Sequence, residues 1–122
     1  MTGSLADVHR IDNDLWAIDE IGKDIMYLID GGRRALLIDT GFGMLEAIAA
    51  QLCPGREIVV VNSHAHPDHA SGNNQFDCVH CGRYDEPRAH AAIDARELDV
   101  LKRNFIANNA RAAGLNPDDW RP

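Results

Sequence analysis

Apolar and polar positions interleave near the start of the chain, in VHRI (8–11) and LWAIDE (15–20), at the period of half-buried strands, with the turn-forming pair Asn13-Asp14 between them. Two apolar runs, 25–29 and 35–38, then flank Asp30-Gly31-Gly32-Arg33-Arg34, which predicts a hairpin whose glycines can take positive φ in a tight reversal, with the two arginines on a solvated tip. Leu45, Ile48 and Leu52 recur three and four residues apart, so a helix over 44–52 presents one apolar face to a sheet and stops at Pro54-Gly55. The nearly continuous apolar run in 57–62 predicts a strand in the middle of a sheet, covered on both faces. A short helix starting within 69–74 and a strand over 76–80 follow. From 86 to 114 the period is helical, with Leu98, Leu101 and Phe105 on one face and Gly114 placed to terminate it. Residues 116–122 read as a turn-rich connector. Strands first and a strand–helix–strand unit next predict an α/β fold.

The whole chain of 122 residues, 45% hydrophobic, is one domain's worth of polypeptide with a modest core. Twelve basic and nineteen acidic residues leave a formal charge of −7, which repels phosphate backbones and argues against nucleic acid as a partner. The longest strictly aliphatic run is 58–61, far short of the ~20 residues that span a bilayer, so no membrane partner is expected. The opening MTGSLADVHR has neither a basic start nor an apolar stretch after it, which predicts a cytoplasmic location. Cys53, Cys78 and Cys81 are odd in number and read as reduced thiols, although Cys78 and Cys81, with His80 between them, also have the spacing of half a zinc site or a redox pair. His9 and His90 read as surface histidines and Trp16 as a core aromatic.

The run 57–62 leads straight into the densest chemistry of the chain, where His64, His66, Asp68 and His69 fall within six residues. Imidazole and carboxylate are the usual nitrogen and oxygen ligands of zinc and related metals. Alternate residues of an extended segment point the same way, so His64 and His66 can converge on one ion, while Pro67 turns the chain and can aim Asp68 and His69 at a neighbouring one. The competing reading, a polar surface loop with coincidental histidines, does not account for four ligand-type side chains directly after a buried strand. Asp39 follows four apolar residues and is costly to bury unless a hydrogen bond or cation compensates it, and one reading has it capping the next helix.

The run His64-Ala65-His66-Pro67-Asp68-His69, with Asn62-Ser63 before it and Ala70-Ser71-Gly72-Asn73 after it, resembles the HxHxDH signature of the metallo-β-lactamase superfamily. Leu37-Ile38-Asp39-Thr40-Gly41 is similar to the aspartate- and glycine-bearing turn of that family, and the resemblance covers about residues 8–80. It implies the first half of an αβ/βα sandwich, a mixed sheet with outer helices. It also implies a hydrolase in which His64 and His66 hold one Zn2+ while Asp68, also the candidate catalytic residue, and His69 help hold a second. Asp39 would support the loop from behind, and iron or manganese could replace zinc. The activated nucleophile is water, and the small-molecule substrate an ester, thioester, lactone, β-lactam or phosphodiester. The family's diiron branch typically carries an acidic residue where this chain has Ala65, which favours the hydrolase pattern.

The resemblance also implies a later histidine, a bridging aspartate and a final histidine, none of which is recognisable after residue 80. Two ligands per ion fall short of the three or more that zinc sites normally have. The expectation is therefore a single partial domain over 1–122, either truncated and lacking its C-terminal half, or a half-domain that pairs with another chain, which could be a second copy. Two alternatives remain open: a half-domain that binds metal or a partner without catalysis, and an oxidoreductase with a single iron that oxidises persulfides.

Overall fold

A computed structural model of the chain describes residues 5–64, 66–83, 95–112, 114–116 and 118; within these, the side chains of Pro67, Asp68, 95–102 and Phe105 fall outside the description. Six strands form one mixed sheet in sequence order: β1 (Ala6–Asp12), β2 (Leu15–Glu20), β3 (Asp24–Asp30), β4 (Arg34–Ile38), β5 (Glu57–Val61) and β6 (Cys78–His80). The first four make an antiparallel meander, and β5 and β6 add in parallel to β4. Parallel neighbours need a crossover, supplied between β4 and β5 by α1 (Leu45–Leu52). The link from β5 to β6 carries α2 (Pro67–Ala70) and a 3-10 turn (Asn73–Gln75), and α3 (Ala95–Ala112) follows β6.

This topology brings one end of every strand to a common edge. There β2 ends, β3 begins, and β4, β5 and β6 all end. The α2 loop leaves from that edge, beyond the carboxyl ends of parallel strands, where open α/β sheets hold their ligands.

The two sheet faces differ sharply. The cross-strand rows Ile18–Met26 and Leu28–Leu37–Val60 point to one side, and α1 covers them with Leu45, Ala49 and Cys53. Trp16 packs at the margin of this core. The opposite face carries the row Ala17–Tyr27–Ile38–Val61 and, beside it, Ile25. Nothing among the described residues covers its centre, where Tyr27 is 38% and Val61 37% exposed. The expectation that β5 is covered on both faces is thus corrected. The reason is that α3 packs elsewhere, its Ile106 and Ala110 joining Leu5, Ile21 and Phe42 in a second cluster beside the loop edge. Gly114, at φ 73, ends that helix in the left-handed conformation, and Leu115 N donates to Ala110 O.

Two tight turns hold the site edge. The β2–β3 reversal puts Ile21 and Gly22 at φ 62 and 69, with Lys23 N donating to Glu20 O, so a β-branched residue occupies left-handed space that it rarely enters. Burial of the Ile21 side chain offsets that cost. Glu20 is buried as well, and its carboxylate accepts the Phe42 amide through both oxygens, at 3.0 and 3.2 Å. A Cβ at Gly41, which sits at φ 57, would lie 2.6 Å from Glu20 Oε1. A side chain there would be strained at this φ and would have to push the Glu20 carboxylate aside.

Candidate metal centre

Asp39 organises the site. It stands just past β4 at φ 68, in the left-handed region where aspartate is among the few residues found, and is 3% exposed. Its Oδ1 accepts the Ser63 amide at 2.7 Å. Its Oδ2 accepts the Ser63 hydroxyl at 2.6 Å and lies 2.9 Å from His69 Nδ1. The carboxylate therefore clamps both ends of the loop between β5 and α2. It does not cap the helix: α1 has Met44 at its N-cap position and no side-chain capping bond.

These contacts decide which ring nitrogens are available. A carboxylate only accepts, so the hydrogen of the Asp39 contact sits on His69 Nδ1, while Nε2 faces Asp24 Oδ1 at 3.7 Å. The Ser63 hydroxyl donates its hydrogen bond to Asp39, so the 2.9 Å contact between Ser63 Oγ and His64 Nδ1 runs with the imidazole as donor. His64 keeps Nε2 for a ligand. One carboxylate thus sets two imidazole tautomers, one directly and one through Ser63.

The three rings of the loop are gathered together. His64 and His69 have ring centroids 4.2 Å apart, and His64 and His66 meet edge-on at 4.6 Å. The side chain of Asp68 lies outside the described residues, as do Ala65 and His90. Among the described residues no three His, Cys, Asp or Glu side chains are grouped so as to hold an ion. The donor chemistry nevertheless fits a divalent cation: three neighbouring imidazoles, two of them held through Nδ1 by the Asp39–Ser63 pair, with a buried carboxylate behind them.

Below the rings the loop is pinned by hydrogen bonds. Thr40 N donates to His69 O at 2.8 Å, and Gly72 N to Gly41 O at 3.0 Å. Thr40 Oγ1 donates to Asn73 Oδ1, and Asn62 and Asn73 exchange side-chain amide bonds of 2.7 and 3.1 Å. Gly72 is required for this approach, because a Cβ there would come within 2.6 Å of Thr40 O. Ser63, Thr40, Asn62, Asn73 and Glu20 support the site, and sequence reasoning assigned none of them a role there. The signal for Glu20 was a carboxylate closing the apolar run of β2.

Another carboxylate reaches the rings from β3. Asp24, 7% exposed, holds its Oδ1 at 3.7 Å from His69 Nε2. It was not foreseen as part of the site.

Cys53, Cys78 and Cys81 are free thiols, and burial pushes the Cys53 thiol above its ordinary range, with the charge of Asp30 adding to that and Arg56 opposing it. Cys78 Sγ sits 3.4 Å from His80 Nε2. A cleft of about 350 Å³ lined by Cys53, Arg56, Ile58, Phe76 and Cys78 opens around the start of β5, the end opposite the loop. His9 is exposed on β1.

Comparisons with known proteins agree on the architecture. The family model described as the metallo-beta-lactamase superfamily matches residues 26–100, more than half of the chain. No curated protein sequence matches. Among solved structures, a metallo-beta-lactamase from Erythrobacter litoralis superposes with a TM-score of 0.56 at 15% identity, over 73% of this chain and 46% of that one. The metallo-beta-lactamase DIM-1 gives 0.57 at 13% identity, over 86% and 49%. The FIM-1 enzyme of Pseudomonas aeruginosa, solved in its mono-zinc form, gives 0.53 at 14% identity, over 72% and 46%. The chain spans about half the length of these structures.

Proposed function

The chain belongs to the metallo-β-lactamase superfamily, and from that premise we propose that it is the metal-binding half of a hydrolase acting on an ester, thioester, lactone, β-lactam or phosphodiester. The observation that carries this reading is the Asp39 hub, which presents Nε2 of both His64 and His69 at the sheet edge. A buried hydrogen-bond hub that fixes imidazole tautomers serves ligand binding and has no purpose in a solvated loop. In this reading His64 and His66 hold one Zn2+, and Asp68 and His69 help hold a second. Bound to these residues, zinc would supply Lewis-acid chemistry and an activated water near neutral pH. The residues of this chain hold the rings at fixed spacing, with the Thr40–Asn73–Asn62 network tying the loop to the β4 and β5 ends.

We further propose that 1–122 forms one partial domain and that a second half-domain covers its open sheet face. The relatives run to about twice the matched length, and the row of Tyr27, Ile38 and Val61 is apolar on a face that a sandwich buries. A cytoplasmic location is part of this proposal, and the free thiols of Cys53, Cys78 and Cys81 support it. No helix among the described residues is long and apolar enough to cross a membrane.

The test is zinc stoichiometry and turnover of ester, thioester and phosphodiester substrates, for the wild type and for a His64→Ala, His66→Ala double variant. Turnover that depends on added zinc and vanishes in the variant is the expected result. Folded protein that takes up zinc but turns over none of these substrates would leave a metal-binding module without catalysis.

A further inference from the structure

We propose that Cys78 and His80 on β6 form a reactive-thiol site, at which Cys78 makes mixed disulfides with small, positively charged disulfides. The site uses no residue of the histidine loop.

The strand assembles the pair. Cys78 and His80 are two residues apart on β6, so they project from the same side of an extended chain, and Cys78 Sγ lies 3.4 Å from His80 Nε2. A thiol reacts as its thiolate, and an imidazole in contact with it takes the proton as the thiolate forms. β6 is the outermost strand of the sheet, with His80 exposed and Cys78 half-buried, so the pair is open to solvent at the sheet edge.

The other two thiols lack this combination. Cys53 is 2% exposed, and burial pushes its thiol above the ordinary range, which leaves it inert. Cys81 is half-buried like Cys78, but the imidazole contact among the described residues belongs to Cys78. Cys81 is also badly placed to displace an adduct from Cys78. β6 is extended through His80, so the two cysteines start roughly 10 Å apart at ~3.3 Å per residue, beyond the ~7 Å between Cα atoms that a disulfide tolerates.

Charge selects the reagent. Cys78 lines a cleft of about 350 Å³ whose wall also carries Glu46, Arg56, Glu57 and Asp77. Arg56 pairs with Asp30 at 3.1 Å and Glu57 with Arg34 at 3.5 Å, so among the described residues Glu46 and Asp77 leave the cleft negative. A disulfide with ammonium ends is drawn to such a field, and an anionic one such as oxidised glutathione is repelled.

In the reaction the Cys78 proton passes to His80 Nε2 and the thiolate attacks one sulfur of the reagent. The new S–S bond forms as the old one breaks, and the departing thiolate takes the proton back from His80. Cys78 is oxidised, and the released half of the reagent is reduced to a thiol.

The experiment exposes the 122-residue chain to cystamine or to oxidised glutathione and follows adducts by intact and peptide mass spectrometry, for the wild type, Cys78→Ser, Cys81→Ser and His80→Gln. Circular dichroism establishes that each is folded, and each rate is taken relative to that of a neutral small thiol with the same reagent. The expected result is one cystamine-derived adduct, on Cys78, reversed by dithiothreitol and formed faster on this scale than the glutathione adduct. Cys81→Ser should keep the rate and Cys78→Ser should lose the adduct. A positioned proton acceptor contributes ~100-fold or more in a closed active site, and at this open edge His80→Gln should slow the reaction ~10-fold. A first adduct on Cys53 or Cys81, an intrachain disulfide with no retained adduct, or a wild-type rate in folded His80→Gln would overturn the site. Oxidised glutathione reacting as fast as cystamine would overturn the choice of reagent.

Discussion

Asp39 shows how one residue can be held in an unfavourable state by what it does. Its backbone sits at φ 68, and its carboxylate receives the Ser63 amide, the Ser63 hydroxyl and His69 Nδ1–H. Asp39→Asn keeps the shape and the tolerance of left-handed backbone, but an amide has one accepting oxygen where the carboxylate has two. The expected outcome is a folded protein whose zinc affinity falls ~10–100-fold, read by chelator competition. An unchanged affinity would show that the histidines hold their orientation without it. At this scale the sequence was informative about ligand types and mute about their supports. Four candidate ligands within six residues stand out in a string of letters. Asp24 stands out less, because a single acid at the head of an apolar run looks like the solvated end of a strand. Only the antiparallel register, with Tyr27 opposite Ile38, carries it alongside the Asp39–Gly41 turn.

At the scale of elements, period and punctuation made all six strands and α1 legible, since alternation, apolar runs and Gly-rich turns are local signals. What could not be read locally was the path of the turns that meet at the site edge. Gly41 is the clearest case: it takes φ 57 and leaves no room for a Cβ beside Glu20. Gly41→Ala therefore combines the cost of left-handed backbone, ~1–2 kcal/mol, with displacement of a buried carboxylate from the Phe42 amide, and should destabilise the fold by ~2 kcal/mol or more. Chemical denaturation of the two proteins checks this; a loss below half that size would mean that Glu20 moves aside freely. At the other end of the sheet the hairpin tip predicts a pH effect. The Gly32 amide, and after it the Arg56 side chain, hold the Asp30 carboxyl below its ordinary value of 3.8. A folded-state value below the unfolded one adds stability that is fully present above pH 3.8 and fades as pH falls through the lower, folded value. Asp30→Asn should accordingly melt below the wild type at pH 7, with the gap closing in acid below the ordinary value. A gap independent of pH would assign the effect to shape and not to charge.

For the whole molecule, the asymmetry of the two sheet faces is the dominant fact. α1 closes one side over a core in which Ile18, Met26, Leu28, Leu37 and Val60 have no exposure, while Ile25, Tyr27 and Val61 stay open on the other. The six-strand order and the share of the relatives that the chain covers give the same account, because a sandwich is two packed layers around one core and only one layer is present in the matched part. The sequence carried a hint of this in β5, whose nearly continuous apolar run calls for burial on both faces. Among the described residues no cover for the second face appears, Ile106 and Ala110 of α3 packing instead with Leu5, Ile21 and Phe42. An exposed apolar sheet face of this kind drives association in water. The 122-residue chain on its own should therefore self-associate through it, with a sedimentation coefficient that rises with concentration. Tyr27→Lys places a charge at the centre of the open face, opposite Ala17 and Ile38, and leaves the α1 side of the sheet untouched. That variant should sediment as a monomer while keeping its zinc affinity, since Tyr27 makes no contact with the histidine loop among the described bonds and ion pairs. A wild-type chain that stays monomeric at high concentration would show the face to be tolerated in water, and would remove the argument that a second half-domain is needed to cover it.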